Sequence, residues 1–172
     1  MAPEITRPSQ LWKPLSSELK QRAAEAFWRD GEATLEHAEA IAGIAQRIKF
    51  RTKSVVALPL DKKVRQLIAM PVSELVAARL LIAYHLAHQR PMMGSFLDAL
   101  GVAHQEGVIS EEEAPTPPPE KLLAAADAIG KAYPADDVSL YLSTLLWQDP
   151  ETWGALSDAP QRQVPVEAAE NS

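Results

Sequence analysis

The stretch that decides the fold is PVSELVAARLLIAYHLAHQRP, Pro71–Pro91. Ser73 can cap a helix, and a proline bounds the stretch at each end. On a wheel of about 100° per residue, apolar side chains cover most of the circumference from Glu74 to about Gln89. A helix that is apolar on most sides is normally surrounded by other helices. We therefore expect it to stand at the centre of the protein.

Amphipathic patterns with helical spacing occur on both sides of this stretch. They predict further helices over about 15–30, 32–49, 61–70, 92–100, 120–133 and 136–148. Asp61 is the predicted cap of the third of these. The alternation from Arg47 to Lys53 is interpreted as a helix end followed by an extended connector, because one strand without a partner makes no sheet. The fold class predicted is all-α, a single helical bundle of about six or seven helices around the central apolar helix (about 74–89).

A proline-rich connector, SEEEAPTPPP, occupies residues 110–119. Its glutamate run and four prolines exclude a continuous helix and favour an extended, exposed chain. We expect one helical domain over 1–156, made of a main body (about 12–109), this connector and a C-terminal helical pair (120–156) that packs back. Residues 157–172 lack periodicity and are predicted to be a disordered tail.

The composition excludes several classes of protein. The 172 residues contain no cysteine, which removes disulfide frameworks, thiolate zinc sites and thiol catalysis. The N-terminus, MAPEITRPSQ, has neither the basic nor the apolar region of a secretory signal. The longest apolar segment, Leu75 to Ala87, is interrupted by Arg79 and His85 and is shorter than the roughly 20 residues that cross a bilayer. We expect a cytoplasmic, acidic protein with no membrane partner.

The net charge of −6 is unevenly distributed. Residues 47–65 contain seven Lys and Arg side chains and one Asp, a net charge of +6. Residues 98–158 contain 12 acidic side chains and two lysines, a net charge of −10. Either the two regions face each other, or one of them faces a partner.

Histidines on the central helix are the candidates for a metal site. His85 and His88 are three residues apart, so both imidazoles point to the same side of a helix, as two-histidine metal sites require. No HExxH motif is present, and further ligands would have to come from His104, Asp98 or His37. The competing interpretation is a polar strip of the helix that meets solvent or a neighbouring helix; it comprises Glu74, His85, His88 and Gln89. The prediction favours the strip and no cofactor.

Motifs for catalysis are weak. Glu36 and His37 resemble an acid–base pair, but adjacent residues on a helix point about 100° apart and cannot share a proton site. The sequence contains no GxSxG motif and no glycine-rich phosphate loop among its seven glycines. The prediction therefore favours a non-enzymatic protein.

The basic region could bind nucleic acid. Its candidate binding residues are Arg47, Lys49, Arg51, Lys53, Lys62, Lys63 and Arg65, which could neutralise several phosphates beside Phe50. The alternative is a solvated or internally paired basic face, which the overall acidity favours.

Aromatic and methionine side chains indicate a protein interface. Trp28 and Trp147 lie off the main apolar stripes of their predicted helices, and Met92 and Met93 adjoin each other. The alternative is that they fill gaps between helices of one chain. The sequence predicts a non-enzymatic protein–protein interaction or regulatory module that binds a protein partner or forms a homodimer. The alternatives are the nucleic-acid binder and the metal- or small-ligand-binding protein that uses His85 and His88.

Overall fold

The structure, a computed structural model, describes residues 6–110 and 116–158. Within these residues the protein consists of ten α-helices, one 3-10 helix and a two-stranded hairpin, which confirms the all-α class. The chain forms two compact units. The first comprises residues 7–87, and the second begins at His88.

Six helices build the first unit, the sixth ending on the first residue of the second unit. They are α1 (Pro8–Trp12), α2 (Ser17–Arg29), α3 (Thr34–Ile48), α4 (Thr52–Val56), α5 (Leu60–Ile68) and α6 (Glu74–His88). Helix α2 packs on α5, and α3 packs on α4 and α5. Phe27, Ile44 and Leu67, one from each of the three longer helices of this packing, are fully buried.

Local capping chemistry explains where two of these helices begin. The Leu19 N–H donates to Ser16 Oγ (3.2 Å) at the start of α2, and the Val76 N–H donates to Ser73 Oγ (3.3 Å) at the start of α6. The cap at Ser73 is the one predicted for α6. The prediction for Asp61 is wrong, because Pro59 precedes α5 and Asp61 lies in its first turn.

The extended connector predicted after residue 49 is also wrong. The chain is extended only briefly at Arg51 (φ −80°, ψ 151°) and then forms α4. The side chain of Val55 is completely buried, while the other four residues of this helix are exposed. Burial of this one valine stabilises a helical turn, whereas the alternation of charged and uncharged residues in the sequence favours an extended chain.

Eleven of the 15 residues of helix α6 are buried or half-buried, which agrees with its apolar sequence. Seven of its 15 residues are buried: Val76, Ala77, Leu80, Leu81, Ala83, Tyr84 and His85. At its first turn the Glu74 carboxylate accepts hydrogen bonds from the Ser9 N–H (3.0 Å) and the Ser9 hydroxyl. These bonds, that of the hydroxyl first, hold the pKa of Glu74 below its usual value and tie α1 to α6.

An arginine on α6 ties that helix to the turn between α2 and α3. Arg79 Nε lies 3.6 Å from Asp30 Oδ2 and 3.7 Å from Glu36 Oε2. Its Nη2 also donates to the Glu32 carbonyl (3.2 Å). One guanidinium therefore connects three residues that surround the end of α2 and the start of α3.

The second unit contains four helices, a hairpin and the 3-10 helix. Its elements are α7 (Arg90–Leu100), β1 (His104–Gln105), β2 (Val108–Ile109), α8 (Pro119–Ala132), α9 (Ala135–Gln148), α10 (Pro150–Trp153) and the 3-10 helix Gly154–Asp158. Helix α7 ends at Leu100, as predicted, and the next residue, Gly101, is left-handed (φ 72°). Helix α8 packs on α7, on α9 and on the 3-10 helix. Phe96 of α7 contacts Tyr141 of α9 edge-on, with ring centroids 5.6 Å apart.

The hairpin is an element that the sequence patterns do not predict. Glu106 (φ 50°) and Gly107 (φ 88°) form its two-residue turn, and both are left-handed. A Cβ at Gly107 would lie 2.7 Å from the Cβ of Met93, so only glycine fits where the turn meets α7. The strands are two residues each, too short to give a period-2 signal.

Parts of the predicted domain plan remain predictions. Residues 111–115 of the connector and 159–172 of the tail lie outside the described residues, whereas Ser157 and Asp158 continue the 3-10 helix. The single-domain organisation is likewise still a prediction. Over the described ranges, no helix is both long and apolar enough to cross a bilayer.

Candidate functional site

The end of α3 and the whole of α4 form a continuous exposed segment of the first unit. From Gln46 to Ala57 every residue is exposed except Ile48, which is half-buried, and Val55, which is buried. We call residues 46–57 the exposed basic segment, because it contains two arginines, two lysines and no acidic residue. Its net charge is +4, in a chain whose net charge is −6.

The backbone at the end of α3 sets the direction of this segment. Lys49 is left-handed (φ 59°, ψ 40°), a conformation that glycine usually supplies at helix ends. The Phe50 N–H then donates to the Ala45 carbonyl (3.0 Å), the bond that closes a helix after a left-handed residue. A lysine here costs conformational energy that glycine would not, and it adds one positive charge to the segment.

The four cations of the exposed basic segment are free of ion pairs with the described residues. They are Arg47, Lys49, Arg51 and Lys53. Arg47 Nη1 donates to Gln66 Oε1 (3.2 Å), which places the end of α3 beside the end of α5. Of the predicted alternative, a solvated or internally paired basic face, the exposure of these four cations agrees with the solvated form, and their charges lie on the surface.

Two apolar side chains lie exposed among these cations. Phe50 is 49% exposed and Val56 is 55% exposed. Single exposed apolar residues are ordinary on protein surfaces. Phe50 directly follows Lys49 and precedes Arg51 in the chain, so apolar area and positive charge share one stretch of backbone. That combination can attract an anionic partner and also bury apolar surface against it.

The three remaining basic candidates, on α5, have other surroundings. Arg65 Nη2 pairs with Asp61 Oδ2 (3.2 Å) one turn earlier, and both side chains are exposed. Lys63 Nζ lies 5.2 Å from the centroid of the Trp28 ring, a cation–π contact. Lys62 is exposed. Four of the seven basic residues thus lie in the exposed basic segment, and three lie on α5, where Arg65 and Lys63 contact other side chains.

Trp28, a predicted interface residue, is half-buried in an aromatic cluster. The His37 ring lies 5.2 Å from Trp28 and 4.8 Å from Phe27 between centroids. His37 Nε2 donates to the Phe27 carbonyl (2.6 Å), which connects α3 to α2. The indole Nε1 of Trp28 is buried and has no hydrogen-bond partner among the described residues. These contacts are those of a packing residue, the alternative that the sequence left open.

Trp147, the other predicted interface tryptophan, is half-buried near the end of α9. Its indole Nε1 is also buried, without a hydrogen-bond partner in the described part of the chain. Binding through either tryptophan stays a prediction. Six large apolar side chains are exposed in the described part of the chain: Leu35, Phe50, Val56, Leu75, Val108 and Ile109. Phe50 and Val56 are the two that lie in the exposed basic segment, and the sequence had drawn attention only to Phe50.

His85 and His88 have different environments although they share α6. His85 is only 3% exposed, while His88 is exposed. Burial lowers the pKa of His85 to about 3, so its imidazole is neutral at neutral pH. The predicted polar strip is therefore not uniformly on the surface. Within residues 6–110 and 116–158, no group of three or more His, Asp or Glu side chains is arranged to hold a metal ion.

Asp98 and His104, named above as further ligands, form a contact of their own in the second unit. His104 Nε2 lies 2.7 Å from Asp98 Oδ1, and the Gly107 N–H donates to His104 Nδ1 (3.1 Å). Because Nδ1 accepts a hydrogen bond, Nε2 carries the proton and donates to the carboxylate. Both ring nitrogens of His104 therefore have partners, Gly107 in the hairpin turn and Asp98 on α7, and the contact holds the hairpin against that helix.

Glu36 and His37 do not act together. The Glu36 carboxylate lies beside Arg79, and His37 donates to the Phe27 carbonyl. The two side chains therefore serve different contacts, as their angular separation on a helix predicts.

No protein-family model, curated protein or solved structure matches the chain.

Proposed function

We propose that this protein is a non-enzymatic interaction module that binds a partner protein through the exposed basic segment. The observation that carries the proposal is the exposure of Phe50 and Val56 among four cations that form no ion pairs with the described residues. Protein interfaces combine an apolar centre with a polar, charged surround, and arginine and aromatic side chains are enriched in them.

The local backbone supports the same proposal. Lys49 occupies a left-handed position where glycine would cost less, so stability alone does not explain the lysine. Residues held in uncommon backbone regions cluster at functional sites. Here the conformation brings a cation and the neighbouring Phe50 ring to the surface at the end of α3.

A second candidate function, nucleic-acid binding, uses the same segment. Four exposed cations can neutralise phosphates, and an exposed phenylalanine can stack on a base. The charge of the whole chain opposes this candidate: outside the exposed basic segment the chain carries −10, which repels an extended polyanion. Val56 also offers a base neither a hydrogen bond nor a ring face.

Charge reversal within the segment tests the proposed function. The double variant Arg51→Glu/Lys53→Glu changes two exposed side chains and leaves the packing of Val55 intact. The matched control is Lys121→Glu, which reverses an exposed lysine of α8 in the second unit. Cross-linking in cells, followed by mass spectrometry, is expected to recover proteins with wild type and with the control that the double variant does not recover.

Two results would oppose the proposal. If the double variant cross-links to the same proteins in the same yield as wild type, the segment is not the binding surface. If purified protein shifts a duplex or single-stranded oligonucleotide at physiological salt, and the double variant does not, the nucleic-acid candidate replaces it.

A further inference from the structure

We propose that the partner surface is an acidic stretch of protein chain that carries aliphatic or aromatic side chains, and that Phe50 and Val56 bind those side chains. This inference rests on the proposed function and assigns the chemistry of the partner. It follows from the charge of the exposed basic segment, from the apolar side chains within it and from the way the fold holds them.

The charge of the segment requires an anionic partner. Arg47, Lys49, Arg51 and Lys53 are exposed and free of ion pairs with the described residues, and no acidic side chain interrupts them. Desolvating such cations against a neutral partner would be unfavourable, because each would lose water without gaining an opposite charge. Glutamate and aspartate side chains of a partner supply those charges.

Charge alone does not select the partner. Exposed ion pairs are screened at physiological salt, where the Debye length is about 8 Å, and they contribute more to association rate than to affinity. The two exposed apolar side chains supply the selective part. A partner that carries only carboxylates would leave Phe50 and Val56 in water, whereas one that also carries leucine or phenylalanine buries them.

The fold fixes the backbone that carries both apolar side chains. The bond from the Phe50 N–H to the Ala45 carbonyl (3.0 Å) fixes the backbone under the ring. Val56 follows Val55, whose side chain is completely buried and anchors α4. A surface that is already ordered loses less conformational entropy when a partner binds.

Matched peptides provide the test. The first is a glutamate-rich peptide that contains leucines, and the second is the same peptide with every leucine replaced by serine. Fluorescence anisotropy measures the affinity of each for the full chain. We expect wild type to bind the leucine peptide about tenfold more tightly, from burial of the exposed parts of Phe50 and Val56.

Two variants assign that preference to the named side chains. In Phe50→Ser/Val56→Ser the preference is expected to fall to near onefold, while the salt dependence of binding remains. The matched control is Leu35→Ser, which removes an apolar side chain that is 74% exposed at the other end of α3. It should retain the preference. Thermal melting confirms that all three proteins are folded, as expected for exposed positions.

The outcomes separate this inference from the proposed function. If wild type binds both peptides equally and Arg51→Glu/Lys53→Glu binds neither, the apolar recognition is overturned and the basic protein-binding surface survives. If the leucine peptide shows no preference, and an oligonucleotide or a vesicle of anionic lipid binds through the same cations instead, both proposals are overturned.

Discussion

Helix α6 and the exposed basic segment belong to the same unit and use their residues in opposite ways. Helix α6 has the most apolar sequence of the chain and two of its four histidines, yet seven of its 15 residues are buried. The exposed basic segment is shorter and lacks a helical apolar pattern, and ten of its 12 residues are exposed. The strongly apolar sequence of α6 therefore serves packing, whereas the exposed basic segment forms protein surface.

The two regions differ in their access to water, and this determines which side chains each can contain. In α6 the surrounding structure excludes water, so polar groups there must be neutral or hydrogen-bonded. In the exposed basic segment the four cations lie on the surface, where water can solvate their charges, and they need no carboxylate among the described residues to compensate them. Substitutions should therefore affect stability in the first region and binding in the second.

The largest expected effect comes from truncating the core of α6. Leu80 is fully buried, so Leu80→Ala removes buried apolar surface and leaves a cavity. The free energy of unfolding should fall by about 2–5 kcal/mol. Val56→Ala, the matched truncation in the exposed basic segment, should change it by less than about 0.5 kcal/mol. Urea denaturation measures both, and similar losses in the two variants would contradict the contrast between the regions.

Acidification should also destabilise α6. The pKa of His85 is about 3 in the folded protein and about 6.5 in the unfolded chain. Below pH 6.5 the unfolded state binds a proton that the folded state does not, so stability is full above that pH and declines toward pH 3. At pH 4.5 the loss should be about 2–3 kcal/mol.

A comparison between two histidine variants isolates this effect. His85→Gln does not titrate, so its stability should depend less on pH between 4.5 and 6.5 than that of wild type. His88→Gln changes an exposed histidine of the same helix and should follow the wild-type profile. Chemical denaturation at several pH values distinguishes them, and identical slopes for wild type and His85→Gln would show that His85 is not the responsible group.

Replacing Lys49, the left-handed residue of the exposed basic segment, with glycine should increase stability and weaken binding. Lys49→Gly relieves the left-handed conformation and should raise the free energy of unfolding by about 0.5–1 kcal/mol. It also removes one of four cations, so affinity for an acidic peptide should fall. Urea denaturation and fluorescence anisotropy on the same preparations test the pair of effects. A glycine variant that binds as well as wild type would remove Lys49 from the proposed surface.

The smallest expected effect on stability comes from the exposed cations. Arg51→Ala and Lys53→Ala remove side chains that are exposed and make no ion pair with the described residues. Each should alter the free energy of unfolding by less than about 0.5 kcal/mol, while weakening binding of an acidic peptide. A loss of several kcal/mol in either variant would show that the segment is structural.

Much of the helical plan follows from local sequence. Ser16 and Ser73 accept hydrogen bonds as caps, and Gly101 ends α7 in a left-handed conformation. These interactions join residues within about one helical turn, so reading the chain in order is sufficient to find them. The hairpin and α4 escaped prediction because two-residue strands and a five-residue helix are too short to show a period.

The candidate surface was predictable only in part. The excess of Lys and Arg over residues 47–65 is visible in composition, but the contacts that individual cations make are not. Lys63 lies over Trp28, a residue 35 positions earlier, and Arg47 bonds to Gln66. Such contacts depend on how α2, α3 and α5 pack, and local sequence patterns do not predict that packing.

The sequence by itself determined that the protein is all-α, where most helices begin and end, and that α6 belongs to the core. Those features arise from capping, helical periodicity and apolar content, which act over a few neighbouring residues. Only the tertiary structure decided that His85 is buried, that His104 is engaged by Asp98 and Gly107, and that Phe50 and Val56 remain exposed among cations. The burial of a side chain and its hydrogen-bond partners depend on residues from distant parts of the chain, so they are known only once the packing of the helices is known.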